Sequence, residues 1–165
     1  MPSKALTTKQ MGDAGEMLVA AEITLAGIPA FTVPEGWPGY DVIAQPTAGP
    51  PVRVSVKART YAKSGNFIGY PEADVGKFDW LAIVILPGPG SDKRRIFIVP
   101  ADVAHQRAYW AERRKGYGFR VHRLVNWPGY EPRAIGPDGR IVGGDGLADF
   151  ENNFGLSAIP RTRPG

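Results

Sequence analysis

The sequence predicts a single mixed α/β domain, a central mixed sheet flanked by helices. Three observations lead there. A strongly periodic helix opens the chain, three short β-like runs follow it, and a wholly apolar run from Asp79 to Leu86 reads as a central buried strand. At 165 residues, with 43% hydrophobic and 22% charged residues, the chain is long enough to enclose a core.

Thr7 to about Ala26 is the first predicted helix. Thr7 and Gln10 have capping-box spacing, and Gly27 supplies the stop. Met11, Ala14, Leu18, Ala21 and Leu25 recur at steps of three and four, giving one apolar stripe, while Val19, Ala20 and Ile23 form a second. Two stripes imply a helix buried on two sides. Glu16 lies one turn before the second stripe, so its carboxylate is expected to be half-buried, with a partner or a task.

The β-like runs are Ala30 to Val33, Tyr40 to Ala44 and Val52 to Ala58, separated by turn-forming clusters. The third alternates Val52, Val54, Val56 with Arg53, Ser55, Lys57, as a strand with one buried face does. Thr60 to Gly69 reads as a polar loop, Pro87 to Arg95 as a turn, and Ile96 to Val99 as another strand. Pro100 and Asp102 then open a second helix expected to run to about Lys115.

Residues 8–115 form the expected core of one domain spanning 1–165. Residues 116–165 read as a C-terminal extension: a strand at Phe119 to Val125, a hairpin over Ala134 to Val142 turning at Asp138-Gly139, a short helix at 148–156 and a loose tail. Trp-Pro-Gly-Tyr occurs at 37–40 and 127–130, but the flanks differ, so the recurrence is one of turn chemistry.

There is no cysteine, which excludes disulfides and thiolate metal sites. The polar start and the short longest apolar run, Trp80 to Leu86, point to a cytoplasmic protein with no membrane partner. Charge is uneven. Residues 1–50 hold two Lys and five Asp/Glu, net −3, whereas residues 51–165 hold eighteen Lys/Arg and eleven Asp/Glu, net +7. That division suits a cation-holding site beside a polyanion-binding surface, or simply a solvated basic face.

Glu16, Asp41 and Lys57 are the candidate chemistry. An acid on one strand and a lysine on its neighbour lie a few ångströms apart, because strands pair at about 4.8 Å. Mg2+ is commonly held by one or two carboxylates, and a nearby lysine stabilises charge developing on a phosphoryl group. The plainer alternatives are a helix-surface acid for Glu16, a turn residue after Pro38-Gly39 for Asp41, and an outward strand lysine for Lys57.

Gly12-Asp13-Ala14-Gly15-Glu16, then Gly39-Tyr40-Asp41-Val42-Ile43-Ala44, then Val52-Arg53-Val54-Ser55-Val56-Lys57 resemble, in that order, the PD-(D/E)XK nuclease superfamily, and most of all its Holliday-junction-resolvase-like branch. The resemblance covers roughly residues 8–115. It implies a restriction-endonuclease-like α-β-β-β-α-β core and a Mg2+-dependent endonuclease acting on DNA, with Mn2+ as a substitute ion and a homodimer as an option. It assigns catalysis to Glu16, Asp41 and Lys57, and metal binding to Asp41, Glu16, the Val56 main chain and, weakly, Ser55. One position departs from the pattern: Ser55 stands where the family carries Asp, Glu or Gln, and a hydroxyl is a poor ligand beside a carboxylate. Glu22 and Glu35 are the other acids nearby, but neither holds the position that the pattern requires. The alternative function is a catalytically weak or inactive module of this fold that binds nucleic acid or a protein partner. Arg53, Arg59 and Lys63 are the expected phosphate contacts.

Overall fold

In a computed structural model of the chain, the described residues are 5–61, 67–107, 109–112, 121–126, 134–135, 141–142 and 147–158. The first helix, α1, spans Thr8–Leu25. Its capping box is complete. The Thr7 hydroxyl accepts from Gln10 N at 3.1 Å, and the Gln10 side chain accepts from Thr7 N at 3.0 Å. The far end closes with the paired bonds of a Schellman turn, Ile28 N to Ile23 O at 3.2 Å and Gly27 N to Thr24 O at 2.9 Å.

A five-stranded sheet carries the fold. Its strands are β1 (Ala30–Thr32), β2 (Val42–Ala44), β3 (Val52–Thr60), β5 (Trp80–Leu86) and β6 (Arg95–Pro100), in that spatial order. All pairs are antiparallel except β3 with β5, so the expected mixed sheet is present. The crossover from β3 to its parallel neighbour β5 contains β4 (Phe67–Pro71) and a 3-10 turn, Glu72–Asp74. These occupy the place where the resemblance implies an α-helix. α2 follows β6 over Ala101–Arg107.

Each sheet face buries its own cluster. On one face Val19, Ala20 and Ile23 of α1 pack on Val42, Val54, Val56, Ala82, Val84 and Ile98. On the other, Leu81, Ile83, Ile85, Phe97 and Val99 meet Ile68 and Tyr70 of β4, Ala104 of α2, and Phe150. β5 is buried along its whole length because both of its faces are covered. Each Leu or Ile fully buried there contributes about 1.5–3 kcal/mol.

Three sequence expectations are corrected. The stretch Thr60 to Gly69 is not loop throughout, since Phe67–Pro71 is a strand paired with β8 (Val121–Asn126). Its aromatic and β-branched residues suit a pleated surface, and Pro71 is tolerated because β4 is an edge strand. The second helix stops at Arg107 instead of continuing to about Lys115. Tyr109–Glu112 forms β7 and pairs with β8, a strand pairing that outweighs local helix preference. No helix spans 148–156. Only Ala148–Phe150 makes a 3-10 turn, and the residues after it cover the open edge of β6. Asn152 N donates to Ile96 O at 2.8 Å, and Asn153 Nδ2 donates to Ile98 O at 3.0 Å, satisfying carbonyls that an edge strand leaves open.

Within the stretch expected to be a hairpin, β9 (Ala134–Ile135) and β10 (Ile141–Val142) pair antiparallel. The Asp138-Gly139 turn, the second Trp-Pro-Gly-Tyr and the 161–165 tail lie outside the described residues. Among the described residues, no helix is long and apolar enough to cross a membrane.

Candidate metal-binding and catalytic site

The site forms where β2 stops and β3 continues. Asp41 N donates to Val54 O at 3.0 Å, the last main-chain bond from this end of β2 to β3. Beyond it, the Val56 amide has no strand beside it, and the Asp41 carboxylate takes that place: Oδ2 accepts from Val56 N at 2.7 Å. Asp41 is thereby held at the sheet's open end, in the line of the strand hydrogen bonds.

α1 brings Glu16 to the same end. The helix crosses β3 so closely that a Cβ on Gly15 would lie 2.8 Å from Ala58 Cβ. Any larger residue at 15 would hold the helix off the sheet and carry Glu16 away with it. Glu16 and Asp41 line one cavity of about 410 Å3, walled by the first half of α1 and the β1–β2 connection.

The carboxyl of Glu16 is pushed above the ordinary glutamate range. Burial is the main cause, followed by the negative charges of Asp41 and Asp13, with Lys57 and Lys9 opposing. Two like charges are therefore brought together with incomplete compensation, as a cation site requires. Lys57 leaves β3 on the face opposite α1, in register with Ile83, yet its charge acts on Glu16 across the sheet end. Among the described residues it forms no ion pair within 4 Å. Ser55 lies on that same face and is 3% exposed.

The remaining candidates sit elsewhere. Arg53 grips Asp79 at the start of β5 in a two-pronged pair, Nε to Oδ2 at 3.1 Å and Nη2 to Oδ1 at 2.9 Å, and Arg53 N donates to the same carboxylate at 2.8 Å. That pairing holds Asp79 below the usual carboxylate range. Arg59 is exposed near the end of β3. Lys63 lies outside the described residues. Glu22 is ion-paired with Arg94 at 3.7 Å, whereas Glu35 stands on the cavity wall.

The cavity includes residues that motif reasoning passed over. Lys9 joins Asp13 at 3.0 Å and Glu35 at 3.4 Å across the mouth. Trp37 and Tyr40 meet edge to face, with ring centres 6.3 Å apart. The i,i+4 spacing of Lys9 and Asp13 was a legible signal; the approach of the Glu35–Tyr40 segment was not. His105, on the other sheet face, is hydrogen-bonded through Nδ1 to the Tyr70 hydroxyl at 2.7 Å and stands against Phe78.

Among the described residues, no group of three or more His, Asp or Glu side chains forms a metal-holding set. The donors at hand are two hard carboxylates, which fit Mg2+ in its usual manner of using one or two carboxylates with water and substrate oxygens.

No protein-family profile and no curated protein matches the chain. A solved bacterial homing endonuclease, I-Ssp6803I, is similar at a TM-score of 0.48 and 16% identity, over 81% of this chain and 86% of that one.

Proposed function

We propose that this chain is a Mg2+-dependent endonuclease that hydrolyses DNA phosphodiester bonds. The observation that carries the reading is the shared cavity, in which Glu16 of α1 and Asp41 at the head of β2 are brought together. Asp41 and Glu16 are the ligands, and Mn2+ suits the same oxygens. Val56 adds its main chain. Its N–H orients Asp41, and its carbonyl is directed to the same side of the strand, where it offers a further oxygen. When bound, the ion supplies Lewis acidity at the phosphoryl oxygen and acidifies the attacking water.

The protein groups do the rest. In hydrolysis the water oxygen bonds to phosphorus, one ester P–O bond breaks, and a proton passes to the departing oxygen. Lys57 donates to the phosphoryl oxygens as negative charge grows on them, a contribution of about 10²–10³-fold in comparable sites. In the absence of the ion Glu16 holds a proton more readily than an ordinary glutamate, and binding of the ion would displace it. Arg59 and Lys63 are proposed to hold flanking phosphates, and Arg53 does so only in competition with Asp79.

A second reading is favoured by one observation. Ser55 is neutral and 3% exposed, so position 55 contributes no charge to the ion. The alternative is a catalytically weak or inactive module of this fold that binds nucleic acid or a protein partner. Incubating plasmid and branched DNA with Mg2+, Mn2+ or EDTA separates the two. Metal-dependent cleavage that disappears in Asp41→Asn supports the enzyme, and DNA binding without cleavage in any metal supports the module.

A further inference from the structure

The cavity beside Glu16 and Asp41 is built for more than an ion and a phosphate. Its four carboxylates, from Asp13, Glu16, Glu35 and Asp41, face one lysine, Lys9. Without a bound cation, a phosphate entering it would meet repulsion. A flat, uncharged ring bearing amino groups would not.

The wall at Trp37 has the matching shape. Trp37 is 50% exposed, although large aromatic side chains tend to be covered. Its main chain is also held in place. Trp37 N donates to Pro34 O at 3.1 Å, closing a turn that has Gly36 at φ +81, the left-handed third position of a type II turn. Tyr40 props the ring edge-on. A fixed, exposed aromatic face is a pre-organised stacking surface, because little side-chain freedom is lost when a ligand lies on it. At about 410 Å3 the cavity falls among small-molecule sites, which run from about 300 to 1,000 Å3.

We propose that this cavity receives an unstacked nucleobase on the Trp37 indole, so that the chain engages single-stranded or unpaired positions in preference to continuous duplex. The inference rests on the nuclease reading and names its substrate class. Bases within a duplex are stacked on their neighbours and cannot reach the indole, whereas a single strand can offer a free π-face. Asp13 and Glu35 accept hydrogen bonds from exocyclic amino groups, which favours adenine, cytosine and guanine over thymine.

The test uses the full chain in EDTA, so that binding is read apart from cleavage. Fluorescence anisotropy is measured with a labelled single-stranded 12-mer, a strand of the same length that is abasic at every position, and the blunt duplex of the first. Trp37→Ala is expected to weaken single-strand binding about tenfold, the order of effect of losing one base–aromatic stack. Trp37→Phe, which keeps a ring, should retain most of the affinity, and duplex binding should be the same in all three proteins. The abasic strand should bind wild type as weakly as the intact strand binds Trp37→Ala. No Trp37-dependent difference between single strand and duplex, through equal loss or absent binding, overturns the inference. Metal-dependent cleavage is assayed in parallel. Cleavage without a Trp37 effect leaves the nuclease reading and removes this one, and a Trp37 effect without cleavage does the reverse.

Discussion

The Asp41 carboxylate accepts a 2.7 Å hydrogen bond from the main-chain N–H of Val56, across the point where β2 has ended and β3 has not. One side chain thus both completes the sheet and faces the cavity shared with Glu16. Substitution can divide the two roles. Asp41→Asn keeps an oxygen for Val56 N, so its stability in urea should remain near that of wild type while Mg2+ binding by calorimetry is lost. Asp41→Ala leaves the amide of a buried residue unpaired and should lose about 1–3 kcal/mol in addition. Equal stability of the two variants would show that the hydrogen bond contributes nothing.

Glu16 makes stability depend on pH. Its folded value is raised, chiefly by burial and then by Asp41 and Asp13. The folded chain therefore holds this proton more tightly than the unfolded chain. The contribution is fully present below the ordinary glutamate value and is lost as pH rises through the raised one. Glu16→Gln should flatten that part of the stability curve and be more stable than wild type above it. Mg2+ binding should release protons in the same window, and calorimetry in buffers of different ionisation enthalpy measures the number.

Gly15 and Ala58 should be energetically coupled. A methyl at 15 would stand 2.8 Å from Ala58 Cβ, so Gly15→Ala forces α1 and β3 apart at a cost of about 1–3 kcal/mol, against about 1 kcal/mol gained in helix preference. Ala58→Gly makes room. In a double-mutant cycle by chemical denaturation, the pair should be more stable than the sum of the singles by about 0.5 kcal/mol or more. Strict additivity would mean that the helix moves freely.

Ser55→Glu introduces a carboxylate at a position 3% exposed. Without metal it should lower the melting temperature, by about 2–4 °C for each kcal/mol lost in a chain of this length. Mg2+ should then stabilise this variant by about 2.7 kcal/mol at a hundredfold excess over its own dissociation constant, and stabilise wild type less at the same concentration. A melting temperature insensitive to Mg2+ would place residue 55 outside the ion's reach.

Arg53 and Asp79 form a half-exposed pair, each side chain 38% exposed, worth about 0.2–1 kcal/mol. Because Arg53 lowers the Asp79 value, the stabilisation is present above the ordinary aspartate range and is lost as pH falls through the lowered value. Arg53→Ala should remove that acid dependence. Its effect on the salt dependence of DNA binding should be smaller than that of Arg59→Ala, for which about one unit of slope is expected. Equal slopes would mean that DNA displaces Asp79.

Much of the fold was legible because its signals are local. The Thr7 and Gln10 spacing and the Gly27 stop mark α1 to within a residue, and the alternation from Val52 to Ala58 marks β3. The candidate site was legible for a related reason: Glu16, Asp41 and Lys57 each sit at a definable point on an element with a clear pattern. β4 and β7 were not: among the described residues both pair with β8, which lies more than fifty residues beyond β4. Neither segment carries enough apolar alternation to declare itself a strand alone.

By itself, the sequence determined the opening helix, the strands flanking Asp41, and the order in which acids and lysine meet the sheet, since each follows from periodicity and capping within a few residues. Tertiary structure alone decided what those residues face. It tied Arg53 to Asp79, buried Ser55, let Gly15 bring α1 against β3, and set the Trp37 loop over the carboxylates. Those outcomes depend on contacts between segments far apart in the chain. Such contacts are chosen by the packing of whole elements, and no short stretch of sequence encodes them.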